Sequence, residues 1–322
     1  MFSADITLAP PFSIERLLLR MQTHPEQQLR VNAAERRMRR AFRIEGHPVM
    51  VSLQFSGSTE EPRLTVSTDQ SLTLSQQETL KKTVSHMFSA DVDLSPLYAL
   101  MQQDQRLQPL AQHFRGLRYL LTPDLFQAMI VNIIAQQLNL AFANTLTLRL
   151  LQFAGDTMTD QAGEEFPVFP TPEAVARLDA EQLRPLQFSQ RKAEYIIDFA
   201  RAITDGKVDL ERVEQMSDEE VIEYLIPLRG IGRWTVECLL IFGLGRPDLL
   251  PVADIGIRNG IQLVYGLSGK PDDKEIRRLG ESWAPWRSYV SLYIWEAVAA
   301  FRRGEPPFDQ LVTKKKPKFS KH

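Results

Sequence analysis

Hydrophobic and polar positions follow two different periods along this chain, and the change falls near residue 120. In the first third, Val49–Phe55 alternates apolar and polar side chains at every step, as a strand with one buried face does. Shorter patterns predict two more strands and two helices, at Ala41–Ile44, Arg63–Val66, Phe12–Met21 and Ser75–Phe88, the last opened by a Ser75–Glu78 capping box. Residues 1–115 are therefore expected to form a small antiparallel sheet domain with one or two helices.

From Thr122 onward, apolar residues recur at helical spacing and strand alternation is no longer visible. Thr122 is the predicted N-cap of a helix that is apolar on most faces and should be buried. The polar stretch Gly155–Pro170 is predicted to be a loop. The fold class expected is α+β: a sheet domain, a mostly α-helical region over 116–306, and a lysine-rich tail over 307–322 that is expected to be disordered.

One segment, over residues 217–242, is predicted to be a helix-hairpin-helix, with two helices joined by a glycine-rich turn. Ser217 opens its first helix with capping-box spacing, and Pro227 cannot continue that helix. Gly230 and Gly232 then form a tight turn before a second apolar helix begins. Such a turn brings backbone N–H groups to the surface beside a helix N-terminus, which suits a phosphate. The alternative is a helix connection that only packs.

A single carboxylate, Asp254, lies in the otherwise apolar loop 249–258. Asp254 could be only the N-cap of the helix that starts at Ile255, because aspartate is favoured there. The two roles are compatible, since a carboxylate at a helix N-terminus stays ionised. An anion of this kind can stabilise positive charge that develops on a sugar when its glycosidic bond breaks.

The composition limits which cellular compartment and which cofactors can be expected. With 38 Lys+Arg and 40 Asp+Glu, the net charge is −2, so nucleic-acid binding would have to come from a local surface. The single cysteine, Cys238, excludes an internal disulfide and a four-cysteine iron–sulfur cluster, and is typical of a reducing cytosol. The five histidines lack metal-ligand spacing. Neither a membrane-spanning run nor a secretory signal is visible, so we expect a cytoplasmic protein.

Two motifs carry a resemblance to a known family. The sequence L-x-G-I-G-R-W-T, followed about twenty residues later by P-x-x-D-x-x-x-R, resembles the helix-hairpin-helix-GPD superfamily of DNA glycosylases, and within it the alkylation-repair group of 3-methyladenine DNA glycosylase II type. The similarity extends to Trp283–Trp295 and Ile133–Leu146, and covers 123–301 well and the N-terminal third loosely. It implies two helical subdomains that enclose a cleft, with the hairpin and Asp254 on its wall.

The resemblance also implies a function. It predicts a monomeric, monofunctional glycosylase that binds damaged double-stranded DNA near the nucleoid, flips out an alkylated purine of the 3-methyladenine or 7-methylguanine type, and hydrolyses its N-glycosidic bond to leave an abasic site. Asp254 would be the catalytic residue. The alternatives are a glycosylase for oxidised or deaminated bases on the same scaffold, and a DNA-structure binder without activity.

Contacts to the DNA backbone are implied at the hairpin. Its N–H groups would hold a phosphate of the lesion strand, with Gly230, Gly232 and Arg233 as the contact residues. Nearby carbonyls would bind a monovalent cation, Na⁺ or K⁺, and the matching carbonyls here belong to Ile226, Leu228 and Ile231. No other cofactor is expected. The polar group Gln190–Lys192 could add phosphate contacts, although a solvated helix face is the better explanation for each of these residues taken singly.

The remaining implied site residues line the base pocket or enter the duplex. Trp234 occupies the position of the lysine nucleophile of bifunctional relatives, so lyase activity is not expected. Trp234, Trp286 and Cys238 are predicted to line the base pocket, although Trp234 could equally be a core residue and Trp286 could be only a hydrophobic anchor. Cys238 replaces an aromatic of the family, and Ala253 replaces a second aspartate. Gln137 matches the residue that fills the gap left by the flipped base, and otherwise would be a surface glutamine.

Overall fold

The computed structural model describes residues 1–23 and 28–308 of the chain. An antiparallel sheet in the order β1-β5-β4-β3-β2 forms the N-terminal part. Its strands are β1 (Phe2–Thr7), β2 (Leu29–Asn32), β3 (Arg37–Ile44), β4 (His47–Gly57) and β5 (Pro62–Thr68). Alternate residues of β4 are buried, from Val49 to Phe55, as the sequence alternation predicts.

Helices account for most of the remaining described chain. They are α1 (Ile14–Thr23), α2 (Leu74–Met87), α3 (Ser95–Met101), α4 (Gln108–His113), α5 (Leu125–Ala135), α6 (Leu140–Ala154), α7 (Pro172–Ala176), α8 (Ala180–Leu183), α9 (Gln190–Thr204), α10 (Leu210–Gln215), α11 (Asp218–Leu225), α12 (Arg233–Cys238), α13 (Ile255–Tyr265), α14 (Asp273–Glu281) and α15 (Arg287–Arg303). A π-helical turn, Leu239–Gly243, continues α12. None of the described helices is long and apolar enough to cross a membrane.

The buried apolar residues fall into three main cores. The first joins the sheet to α1 and α2. The second lies between α5 and the end of α12. The third packs α3 and α4 against α13, α14 and α15. The predicted α+β architecture with two helical subdomains is confirmed. The predicted first unit, 1–115, nevertheless includes α3 and α4, whose buried Leu97, Met101 and Leu110 belong to the C-terminal helical core.

One predicted loop is a hairpin. Within 155–170, strands β6 (Asp156–Thr159) and β7 (Glu165–Val168) pair antiparallel. Phe166 and Val168 are buried against Ala41 of the N-terminal sheet. Tertiary packing therefore stabilises a hairpin in a stretch whose polar sequence predicts a loop.

Three local predictions are corrected. Helix α2 is capped by Thr73, which forms a capping box with Gln76, because the Ser75 hydroxyl instead donates to Glu45. Helix α5 is capped by Asp124 rather than Thr122. The predicted tail from 307 still contributes a buried ring, because Phe308 stacks on Phe114 at 4.9 Å. The lysine-rich remainder, 309–322, lies outside the described residues.

Candidate active site

Asp254 is the N-cap of α13, and its carboxylate is held on one side only. Oδ1 accepts hydrogen bonds from the Ile257 N–H at 2.8 Å and from Trp295 Nε1–H at 2.9 Å. Over residues 1–23 and 28–308, no donor reaches Oδ2. The predicted N-cap role of Asp254 is therefore confirmed, and its second oxygen remains available to a reacting group. The catalytic role stays a prediction.

Trp295, on α15, is the site residue that the sequence reasoning did not single out. Its ring stacks on Phe242 of the π-helical turn, with centroids 5.9 Å apart and an interplanar angle of 27°. Gly256 makes the approach to the carboxylate possible. A Cβ at this position would lie 2.8 Å from Asp254 Oδ1 and 3.1 Å from Trp295 Nε1. In the sequence, two features point to this contact: Gly256, two residues after the aspartate, and an indole in the C-terminal motif.

Cys238 lies close enough to Asp254 to feel its charge. Burial, and then the negative charge of Asp254, raises the pKa of the Cys238 thiol to about 12. The thiol is therefore neutral at physiological pH and is no nucleophile. Trp234 is half-buried one helical turn earlier on α12, so the two side chains lie on the same helix face.

The two tryptophans of the WAPW segment lie in different surroundings. Trp283 is fully buried, and its Nε1–H donates to the Tyr265 hydroxyl at 3.3 Å. Trp286 precedes α15 and contacts the Tyr289 ring edge-on at 5.5 Å. The indole that touches the Asp254 carboxylate belongs to Trp295, so pocket lining by Trp286 stays a prediction.

The glycine turn contains one residue in the left-handed region and several backbone amides that find no partner among the described residues. Gly230 has φ +82°, and a Cβ there would lie 2.2 Å from Cγ of the Tyr195 ring. Gly232, the N-cap of α12, has φ −105° and open space around it. In the described chain, the N–H groups of Gly230, Gly232 and Trp234 donate to no acceptor. Backbone amides without partners at a helix N-terminus favour an anion.

Three carbonyls of this turn belong to the residues at which the resemblance implies a cation. The Leu228 carbonyl accepts the Ile231 N–H at 3.1 Å and keeps one lone pair. The carbonyls of Ile226 and Ile231 receive no hydrogen bond from any residue that the structure describes. Three carbonyls therefore have capacity for a hard monovalent ion.

The basic side chains near the hairpin are not free of partners. Arg233 is exposed but pairs with Glu237 at 3.0 Å, one turn further along α12. Lys192, on α9, points away from solvent and donates to the Ile133, Ile134 and Gln136 carbonyls at 2.9, 2.8 and 3.1 Å. The suggested phosphate contact through Lys192 is therefore wrong, because all three of its N–H donors are used inside the protein.

Gln137 lies on the exposed loop between α5 and α6. Its φ of +58° is left-handed, which is uncommon for a residue other than glycine. The preceding Gln136 donates from Nε2 to the Gly230 carbonyl and to Thr235 Oγ1, both at 2.9 Å. The loop that carries Gln137 is thus tied directly to the glycine turn, although the two are about ninety residues apart.

Comparisons with known proteins agree with this arrangement. The family described as HhH-GPD superfamily base excision DNA repair protein matches residues 130–285, and the 8-oxoguanine DNA glycosylase N-terminal domain matches residues 26–129. The Bacillus subtilis protein YfjP is 34% identical over 302 residues, which is 92% of this chain and 100% of the relative. Bacillus subtilis DNA-3-methyladenine glycosylase is 33% identical over 223 residues, covering 69% of this chain and 73% of the relative.

A solved structure shows the same fold along most of the chain. The 3-methyladenine DNA-glycosylase from Archaeoglobus fulgidus superposes with a TM-score of 0.77 at 24% identity, covering 94% of this chain and 98% of that chain. The sheet and both helical subdomains therefore belong to one shared architecture.

Proposed function

This chain belongs to the HhH-GPD superfamily of base excision DNA repair proteins, and we propose that it is a monofunctional DNA glycosylase that removes alkylated purines from double-stranded DNA. The relatives named as DNA-3-methyladenine glycosylases support this substrate class. The observation that carries the proposal is the Asp254 carboxylate, anchored through Oδ1 and open at Oδ2, on the helix that follows the glycine hairpin.

The chemistry follows from charge. As the bond between C1′ and the base nitrogen breaks, its electron pair leaves with the base and positive charge develops on the sugar. Asp254 supplies a preorganised negative charge for that cation, because the Ile257 N–H at the helix N-terminus and the Trp295 N–H hold its carboxylate in place. A water molecule then forms the new bond to C1′ and loses a proton, with Oδ2 as its acceptor. N-alkylated purines already carry positive charge, which suits the faces of electron-rich indoles.

The absence of an amine at the Trp234 position supports hydrolysis without strand cleavage. A Schiff base requires a lysine nitrogen within reach of C1′. Lys192, the lysine that donates to the loop carrying Gln137, has its donors taken by three carbonyls. The Cys238 thiol, close to Asp254, is held neutral by burial.

DNA binding in this proposal uses local features, as a net charge of −2 requires. The amides of Gly230, Gly232 and Trp234 would hold a phosphate, and the Ile226, Leu228 and Ile231 carbonyls would hold a monovalent cation beside it. Gln137 would enter the stack where the damaged base has left. A monomeric state and a cytoplasmic, nucleoid-associated location remain part of the prediction.

A glycosylase for oxidised bases is the second candidate, because the N-terminal 26–129 matches the 8-oxoguanine glycosylase N-terminal domain. Incubation with two DNA substrates decides between them, one randomly methylated and one carrying 8-oxoguanine, with chromatographic identification of the released bases. We expect 3-methyladenine and 7-methylguanine from the first and no release from the second. Release of 8-oxoguanine alone would overturn the proposed substrate class, and no release from either DNA would favour a binder without activity.

A further inference from the structure

The first two turns of α9 contact both loops that the proposed function places on DNA. Tyr195 lies beneath Gly230 of the glycine turn. Lys192, one turn earlier, reaches the segment that ends α5 and carries Gln137. The two loops are also joined directly by the Gln136 side chain. This part of α9 therefore sets the relative position of the hairpin and of the loop 136–139.

The ammonium group of Lys192 is fully hydrogen-bonded in this position. Its ammonium has three donors, and each of them meets a carbonyl at the C-terminus of α5, where the helix dipole favours a cation. None of the ion pairs among the described residues involves Lys192. Burial lowers its pKa to about 8, so the ammonium is partly withdrawn from water without a compensating carboxylate. A lysine on the surface would avoid this desolvation, which indicates that the contact with α5 is specific.

The loop needs such support because of Gln137. A non-glycine residue adopts the left-handed region about ten times less readily than the right-handed one. Left to itself, the loop would therefore occupy this conformation in roughly one molecule in ten. Here Gln136, the residue before Gln137, is held through both its side chain and its backbone carbonyl. Its side chain donates to Gly230 and Thr235, and its carbonyl accepts from Lys192.

We propose that Lys192 is a positioning residue, which holds the loop 136–139 in the conformation that presents Gln137 to the vacated base stack. This inference rests on the proposed function, in which Gln137 fills the gap. Lys192 touches neither the sugar nor the base, and it acts through the loop. Its contribution should therefore appear where opening the duplex is difficult and vanish where the base is already unstacked, since unstacking costs least at a mismatch.

The test compares single-turnover excision of 7-methylguanine paired with cytosine and opposite thymine. Lys192→Met removes the donors and keeps the chain length, whereas Lys192→Arg keeps the charge. Lys207→Met, exposed in the turn that follows α9, is the matched control. We expect Lys192→Met to be about tenfold slower in the cytosine pair and close to wild type opposite thymine, with most of the rate recovered in Lys192→Arg. Thermal melts verify folding, and Lys192→Gln replaces Lys192→Met if the latter melts early.

A double variant shows whether Lys192 acts through Gln137. Gln137→Ala should give the same context-dependent loss, and adding Lys192→Met to it should cost less than twofold more, because the two changes remove one effect. Equal slowing by Lys192→Met in both contexts, or losses that multiply in the double variant, would overturn the inference. If Gln137→Ala excises both substrates at the wild-type rate, the gap-filling role and the inference fail together. Continued release of alkylated bases would still leave the glycosylase assignment standing.

Discussion

The two glycines of the hairpin offer a matched pair of alanine substitutions, because the structure gives them opposite surroundings. At Gly230, alanine would adopt φ +82°, which costs about 1–2 kcal/mol. Its methyl would also overlap the Tyr195 ring, with three ring atoms within 2.5 Å. Overpacking of this kind costs about 1–3 kcal/mol. At Gly232, φ is −105° and a Cβ meets nothing within 4 Å.

We therefore expect the alanine of Gly230→Ala to cost about 2–5 kcal/mol in the native turn conformation. The turn should distort in response and move its amides away from the phosphate. Loss of hydrogen bonds to a charged group weakens DNA affinity by about ten- to a hundredfold. Gly232→Ala should melt like wild type, since it has space and an ordinary φ. Its methyl would stand where the phosphate approaches, and we expect about fivefold weaker binding from that alone.

The assay is fluorescence anisotropy with undamaged duplex and with a duplex containing an abasic analogue, each at several salt concentrations. Both variants should lose affinity for the two duplexes alike, because a phosphate contact reads no sequence. The salt dependence of binding should stay close to that of wild type, because the lost donors are uncharged amides and release no counterion. Wild-type affinity of Gly232→Ala, or a lost preference for the lesion at unchanged affinity for undamaged DNA, would refute the phosphate role.

Three further predictions concern the surroundings of the carboxylate. Trp295→Phe keeps the ring stack on Phe242 and removes the N–H donor to Asp254. We expect excision to slow about tenfold in a single-turnover assay, and an unchanged rate would show that this hydrogen bond is unimportant. Cys238 should resist iodoacetamide at pH 8 in the native protein and react once the protein is unfolded, because a pKa of about 12 leaves only about one thiolate in ten thousand. Rapid labelling of the native protein, measured by mass spectrometry, would contradict the burial of Cys238. Borohydride during turnover should trap no protein–DNA adduct, since Trp234 offers no amine, and a trapped lysine adduct would end the monofunctional assignment.

Much of the helical region could be predicted because its signals are local. The caps at Ser217 and Asp254 depend on residues within one turn, and the structure confirms both. The alternation of Val49–Phe55 likewise reports one buried face, which the sheet provides.

The missed features depend on partners that are distant in sequence. The β6–β7 hairpin is ordered by packing against the N-terminal sheet, and α3 and α4 are too short, at seven and six residues, for a clear period. The Trp295 bond to Asp254 joins residues 41 positions apart, and no spacing rule encodes it. The same holds for Lys192, which was expected on the surface and instead donates to α5, 56 to 59 residues away.

The catalytic assignment of Asp254 can be separated from its structural role by one substitution. Asp254→Asn keeps the size of the side chain and an oxygen that accepts from the Ile257 and Trp295 N–H groups. Asparagine caps helices about as well as aspartate, so we expect stability within about 1 kcal/mol of wild type and unchanged DNA affinity. Only the negative charge beside the developing sugar cation is removed.

The most direct measurement of the central claim is single-turnover excision of 7-methylguanine and of hypoxanthine by wild type and by Asp254→Asn, beside thermal melts of both proteins. We predict a loss on the order of a hundred- to a thousandfold, because one well-placed electrostatic stabiliser typically contributes that much. The loss should be smaller for 7-methylguanine, which already carries positive charge and leaves more readily. A variant that melts like wild type and still excises both bases at the wild-type rate would show that Asp254 is only a helix cap.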